Sequence, residues 1–464
     1  MAGLYSSLDV ARSSLAAQQT ALQVTGNNIA NVNTPGYHRQ RAIFETTLPE
    51  ISETGPIGTG VTIEKVVSVR DQFLELRISQ AHQNVAAQDT ISSYLRQVES
   101  VLGTEESGVQ EGITRFFNSF SALSADPTSS PLRYGVISAG ENLAARFRNA
   151  AQQLEDIRNN ANAAVADSVR GINELTEMIA NFNVQIATAE FDGSEAGTLR
   201  DQRTNAVNDL AALLDIHYYE AEDGTLSIST AGGRPLVTAG FSHALETSAT
   251  GPDGMYEVVS GLYTITDSIR GGKLGGLLEV RDRLVPVYEQ QLDALAESII
   301  SQVNAAHSAG TDLQSPPTSP ALDFFNPAAS VDGAAAGFSV NATVAGDVRY
   351  IAAGQSGSPG DNANAMAIAG LAFQRVLNGG TETFAEAFGS LQFRVGTDEQ
   401  STEKRLQTQN ALLVQLENSR DAISGVSLDE EAIDLIRFQR AYQAAARFIN
   451  IIDQLTEELI EIAG

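Results

Sequence analysis

Five histidines are the first candidates for chemistry: His38, His82, His217, His243 and His307. They are scattered, and no two stand four apart, the spacing that would let one helix face offer two imidazoles to a metal. Each reads as an ordinary surface or core residue, and its replacement by Ala is expected to be silent. Asp429, Glu430 and Glu431 could hold a hard cation, but acids opening a helix are accounted for by the positive end of its dipole. Glycines 55, 58 and 60 invite a nucleotide-loop reading, yet no helix follows at once. Glycines 271, 272, 275 and 276 flank Lys273 without the Gly-Lys-Ser/Thr order of a phosphate loop. No Gly-x-Ser-x-Gly elbow presents a serine, and the lack of cysteine removes thiolates and disulfides. The expectation is a non-enzyme with no catalytic, cofactor or metal site.

Composition narrows the partners. A chain of 464 residues with a formal charge of −28 suits neither nucleic acid nor an anionic membrane, both of which need basic faces. No run approaches the length of apolar chain that spans a bilayer, so no membrane insertion is expected. The opening MAGLYSSLDVARS has neither the basic region nor the apolar core of a cleaved signal peptide.

With no chemistry to position, the periodic elements carry the information. From Leu428 onward, Leu435, Tyr442 and Ile449 form one heptad row, and Phe438, Ala445, Ile452 and Leu459 the other, with Thr456 the one interruption. This spacing lays an apolar seam along one side of a long helix. At the other end of the chain Leu8, Leu15, Leu22 and Ile29 recur every seven residues, with Leu4, Ala11, Gln18 and Thr25 between them. The first forty-one residues carry a formal +2 and the stretch from 425 onward a formal −5, which favours pairing. Four buried Leu/Ile side chains supply roughly 6–12 kcal/mol. Ordering about thirty backbone residues costs roughly 30–60 kcal/mol. The two ends are therefore expected to order only against each other and against neighbouring subunits.

Between the ends the period changes twice. Residues 70–102 read as helix, with Phe73, Leu76, Val85, Ile91, Leu95, Val98 and Leu102 inside; Phe116, Phe117 and Phe120 form a core stripe on the next helix. Residues 132–189 read as one or two long helices. From His217 to Ile269 short alternating runs separated by Asp-Gly and Gly-Gly read as strands and turns. Residues 338–340 and 348–351 read as weak strands returning to them. The expected fold is multidomain and mainly α, with a β-rich outer domain inserted at the tip. The terminal coiled coil is 1–34 plus 425–464. The elongated helical domain is 35–215 plus 277–310 plus 361–424, and the β-rich domain is 216–276 plus 311–360.

Two stretches carry a resemblance. NNIANVNTPGYHRQ, with Asn28, Ala30, Asn31, Thr34, Pro35, Gly36, Tyr37, Arg39 and Gln40, resembles the signature after the first helix of bacterial flagellar axial proteins. LDEEAIDLIRFQRAYQAAARFI resembles their C-terminal signature, and FFNSFSALSADPTSSPLR and GGKLGGLL resemble the hook-associated members. His38 stands where that pattern would place Ser, at what reads as a surface position. The resemblance implies a structural subunit of the hook–filament junction that self-assembles through its terminal helices. The other readings are a hook or distal rod protein, or a secreted binding module. Implied partners are further copies of the chain, the hook protein, a second junction protein and a cytoplasmic export chaperone. The implied route is synthesis in the cytoplasm and export through the flagellar type III apparatus.

Overall fold

The computed structural model describes residues 2–52, 55–103, 108–191, 193–221 and 223–463. Helix α1 (Ala2–Ala30) ends five residues before Pro35, and Gly36 turns the chain at φ +72°. That conformation suits a residue without Cβ, and a Cβ there would collide with the Asn205 amide. Strand β1 (Gln40–Thr46) then pairs with β4 (Val61–Ser68), and between them β2 (Glu50–Ser52) and β3 (Gly55–Ile57) form a small antiparallel hairpin. The β1–β4 ribbon lies on α1, with Gly60 over Val10 and Ser13. It was expected within the helical domain. It stays with the terminal helices because Gly60 removes the side chain that would hold it off, and Phe44 reaches Phe438.

The body follows. Asp71 caps α2 (Gln72–Leu102) by accepting from the amides of Phe73 and Leu74, so the chain enters this helix at a defined angle. Phe73, expected inside, is exposed on that first turn. Next come α3 (Val109–Ala125), α4 (Ser130–Ala189) and α5 (Gly197–Leu213). The 60 residues of α4 make a rod about 90 Å long at ~1.5 Å per residue. A meander of β5 (Ile216–Glu220), β6 (Leu226–Thr230), β7 (Pro235–Thr238) and β8 (Phe241–Ser242) forms one sheet. Strands β9 (Glu246–Ser248), β10 (Glu257–Ser260) and β11 (Tyr263–Thr264) form a second.

The chain re-enters helix at α6 (Gly272–Glu279), where Gly276 comes against the Ala87 carbonyl and so lets α6 close on α2. A π turn, Val280–Leu284, leads into α7 (Val285–Ser308). Pro286, which lacks an amide donor, is tolerated just after that turn. Short helices α8 (Ala342–Gly346) and α9 (Ala363–Gly370) precede α10 (Phe384–Ser424), which runs back along α2. Gly425 breaks the rod before α11 (Leu428–Ala463).

Residues 311–360 depart from expectation. They do not join the sheets. Phe324, Phe325 and Phe338 insert among Phe116, Phe120 and Phe147 of α3 and α4, with ring centroids 4.7–5.8 Å apart. Arg133 on α4 donates to the carbonyls of Val348 and Ile351, whereas Asn183 near the other end of α4 donates to Leu226 and Ala239 of the sheet region. Fifty residues of helix, about 75 Å, separate those two contacts. The physical reason is that three large aromatic rings need a deep groove between helices, which a thin sheet does not offer. Residues 348–350 form a 3-10 turn, and Phe325–Val340 is an isolated bridge. The segment caps the end of the body away from the terminal pair.

One continuous core runs from α2 and α3 through α4 and α7 to both sheets, and a small satellite joins Leu74, Ile78 and Ala81 to Leu416. The terminal pair belongs to neither.

Candidate assembly interface

Helices α1 and α11 pack antiparallel: Asn28 near the end of α1 donates to Glu431 in the first turn of α11. The inward positions of α11 are Glu431, Leu435, Phe438, Tyr442, Ala445, Ile449, Ile452 and Thr456, a strict alternation of four and three. Leu459 is 45 % exposed instead, because the 36 residues of α11 outrun the 29 of α1 and carry it past the partner helix. On α1 the fully buried positions are Ala11, Ala17, Ala21, Thr25 and Asn28, while Leu8, Leu15, Leu22 and Ile29 are half-buried. Helix α1 is covered on one side by α11 and on another by the β ribbon, and small residues let both come close. The leucine row therefore flanks the contact; it does not form its centre.

The motif after α1 is a clasp. The Asn28 amide donates to the Gln40 carbonyl at 2.9 Å, and its oxygen accepts from the Gln40 amide and from the Tyr37 hydroxyl. Burial pushes the Tyr37 phenol up to about 12, so it stays protonated and donates. Thr34 donates to Asn31, whose own amide reaches back to Asn27, and Asn205 on α5 donates to the Pro35 carbonyl. Ala30 ends the helix, exposed. Arg39 then crosses to α11, with Nη1 at 2.5 Å from Glu430 and Nε at 2.7 Å from the buried Glu431, a close ion pair without hydrogen-bond alignment. Its own amide donates to Ser424 in the last turn of α10. One short motif thus ties both terminal helices, the ribbon and the body together.

His38 sits at the centre of this clasp, 1 % exposed, and the surface reading of it is overturned. Its Nδ1 lies 2.7 Å from Asp201 on α5 and its Nε2 3.1 Å from Glu75 on α2; Arg70 also reaches Asp201 at 2.5 Å. Burial alone would lower the imidazole's pKa, but the hydrogen bonds to Asp201 and Glu75 outweigh it and raise it above the usual histidine value. An imidazolium bridging two carboxylates is an electrostatic rivet between the terminal pair and the body. Both partners are remote in sequence, and only membership of the motif marks the residue out. The other histidines stay unremarked: His217 and His243 are exposed, and His82 is half-buried with a lowered pKa from burial. His307 is fully buried, donates to the Leu322 carbonyl, accepts from the Ala352 amide, and is pushed by burial to about 4. No group of His, Asp or Glu among the described residues could hold a metal ion.

What the heptad reading missed is the other side of α11. Ile433, Ile436 and Ile451 lie opposite the seam, with Phe448, Leu455 and Leu459 on its flank, all between 44 % and 65 % exposed. Arg440 and Arg447 share the heptad row of Ile433 and form no ion pair among the described residues. The signal was present as a second 3-4 pattern, hidden because the helix is apolar over more than one stripe.

A family model described as flagellar hook-associated protein FlgK helical domain matches residues 95–325. Models described as flagella basal body rod protein and flagellar basal body rod FlgEFG protein C-terminal match residues 8–38 and 419–462. Flagellar hook-associated protein 1 of Bacillus subtilis (strain 168) is 28 % identical over 507 residues, covering 100 % of this chain and 99 % of that protein. The protein of the same name from Escherichia coli (strain K12) is 24 % identical over 542 residues, covering 97 % of this chain and 98 % of its own length. The solved flagellar hook junction protein FlgK of Burkholderia pseudomallei superposes with a TM-score of 0.67 at 19 % identity, over 75 % of this chain and 100 % of that one, which speaks to the fold. The rod-protein matches fall on the two helices that pair, and the helical-domain match falls on the body between them. Together they define a flagellar axial protein, a structural component of the flagellum that associates with other axial proteins. Within that class the chain belongs to the hook-associated protein 1 family.

Proposed function

We propose that this chain is a structural subunit of the hook–filament junction and self-assembles through its terminal helices. The observation that carries the reading is the exposed apolar face of α11. The seam facing α1 is consumed inside the subunit, so the surface left for neighbours is Ile433, Ile436, Phe448, Ile451 and Leu455. Two exposed apolar clusters on one helix, Ile433 with Ile436 and Phe448 with Ile451 and Leu455, are unfavourable in water unless another surface covers them. Head-to-tail contacts between different surfaces of identical subunits close into rings or grow into helical layers, the geometry a tubular joint requires. Its neighbours in this reading are the hook protein on one side and a second junction protein on the other. A cytoplasmic chaperone covers the same clusters before export through the flagellar type III apparatus.

The core of the body excludes the terminal pair, so removing residues 1–34 or 425–464 leaves the Phe116–Phe325 cluster intact. Either truncation, supplied to cells lacking the native chain, is expected to yield a folded body that joins no hooks. Normal filament attachment by both would refute the assignment.

A further inference from the structure

The β2–β3 hairpin leaves its large apolar side chains uncovered. Leu48 and Ile51 are 90 % and 89 % exposed, and Ile57 is more than half exposed. A two-stranded hairpin with both edges open is marginal in water without a surface to lie on. Its chemistry is one-sided: residues 44–60 contain Glu45, Glu50 and Glu53 and no basic residue. The exposed face of α11 is its complement. That face offers Ile433, Ile436 and Ile451 beside Arg440 and Arg447, and residues 432–452 carry Arg437, Arg440 and Arg447 against the single Asp434. In a chain whose formal charge is −28, a basic apolar helix face is a local exception that suits an acidic apolar strand pair.

We propose that the β2–β3 hairpin of one subunit docks on the exposed face of α11 of a second copy, with Ile51 and Pro56, which pair across one face of the hairpin, against Ile451 and its neighbours Arg447 and Leu455. Within one subunit the ribbon rests on α1 and reaches α11 through Phe44 and Phe438, leaving the hairpin's apolar residues uncovered. Because hairpin and helix face are different surfaces of one chain, the contact repeats from subunit to subunit and does not stop at a pair. The inference rests on self-assembly through the terminal helices and names the surface that meets α11.

The absence of cysteine makes a direct test available. Full-length chains bearing Ile51→Cys and Ile451→Cys are expressed together in cells lacking the native chain, and their isolated flagella are oxidised with copper phenanthroline. A disulfide-linked pair of chains is expected, and none when Ile51→Cys is combined with Val331→Cys at the opposite end of the body. A second measurement guards against a geometry that merely prevents the bond. Glu45→Arg with Glu50→Arg should cut incorporation about ten-fold, and adding Arg440→Glu with Arg447→Glu to the same chain should restore it. Flagella that assemble normally with no intermolecular cross-link and no rescue overturn the hairpin contact while leaving self-assembly standing. A cross-link formed only within a chain carrying both cysteines, in a verified monomer, assigns the hairpin to its own α11 and also overturns the proposal. If Ile433→Asp and Ile451→Asp leave junctions intact, the wider assembly reading fails with it.

Discussion

The helical body and the terminal pair solve the burial problem in opposite ways. In the body, Phe116, Phe120, Phe324 and Phe325 are each fully buried and interlock in edge-to-face and tilted pairs, so the core is complete within one subunit. In the terminal pair the fully buried positions are chiefly alanines, with Thr25, Asn28, Glu431 and Ile452, while isoleucines, leucines and a phenylalanine face outward. A folding unit that buries its smallest apolar side chains and exposes its largest is half of an interface. The difference separates what stabilises the monomer from what awaits a neighbour.

That contrast can be broken most strongly in the body. Phe116→Ala removes a ring that touches Phe117, Phe120, Phe324 and Phe325, and should cost about 3–5 kcal/mol in chemical denaturation of the isolated subunit. A loss under ~1 kcal/mol would mean the body is less tightly packed than its ring geometry indicates. Next in size is the rivet. His38→Ala leaves Asp201 and Glu75 buried without the group between them and should cost about 1–3 kcal/mol, read as faster hydrogen exchange in α1 and β1 than in α4. Of the five histidines it is the one whose loss should impair swimming.

The same rivet should respond to pH. Its folded pKa is raised, so the charged contribution is complete below the unfolded value near 6.5 and fades as pH climbs through the folded value. The stability difference between the native chain and His38→Gln should therefore shrink from pH 6 to pH 9. A difference that grew over that range would show that His38 is held neutral. The smallest effect on the monomer is expected where assembly should suffer most. Ile433→Asp or Ile451→Asp alters an exposed side chain and should change the unfolding free energy of the isolated subunit by no more than about 0.5 kcal/mol. Filament attachment, counted by electron microscopy, should nevertheless be lost. Ile449→Asp sharpens the comparison: it strikes the seam facing α1, so it should loosen the terminal pair in the monomer as well.

Local period and turn chemistry are properties of neighbouring residues, and the sequence by itself determined what depends on them. The 3-4 register of Leu435, Phe438, Tyr442, Ala445, Ile449 and Ile452 follows from 3.6 residues per turn, whatever packs against it. The turn at Pro35-Gly36 follows from a missing donor and a permitted positive φ. The long helices around the Phe116 stripe and the strands from 216 to 264 were legible for the same reason. Tertiary structure alone decided where remote segments meet. His38 is buried because Glu75 and Asp201, 37 and 163 residues away, arrive on two other helices, and no local pattern encodes that meeting. Residues 311–360 go to the far end of α4 because their aromatic rings find a groove between helices there. Which stripe of α11 remains for a neighbour was settled only when α1 took the other, since a helix apolar on two sides offers both until one is covered.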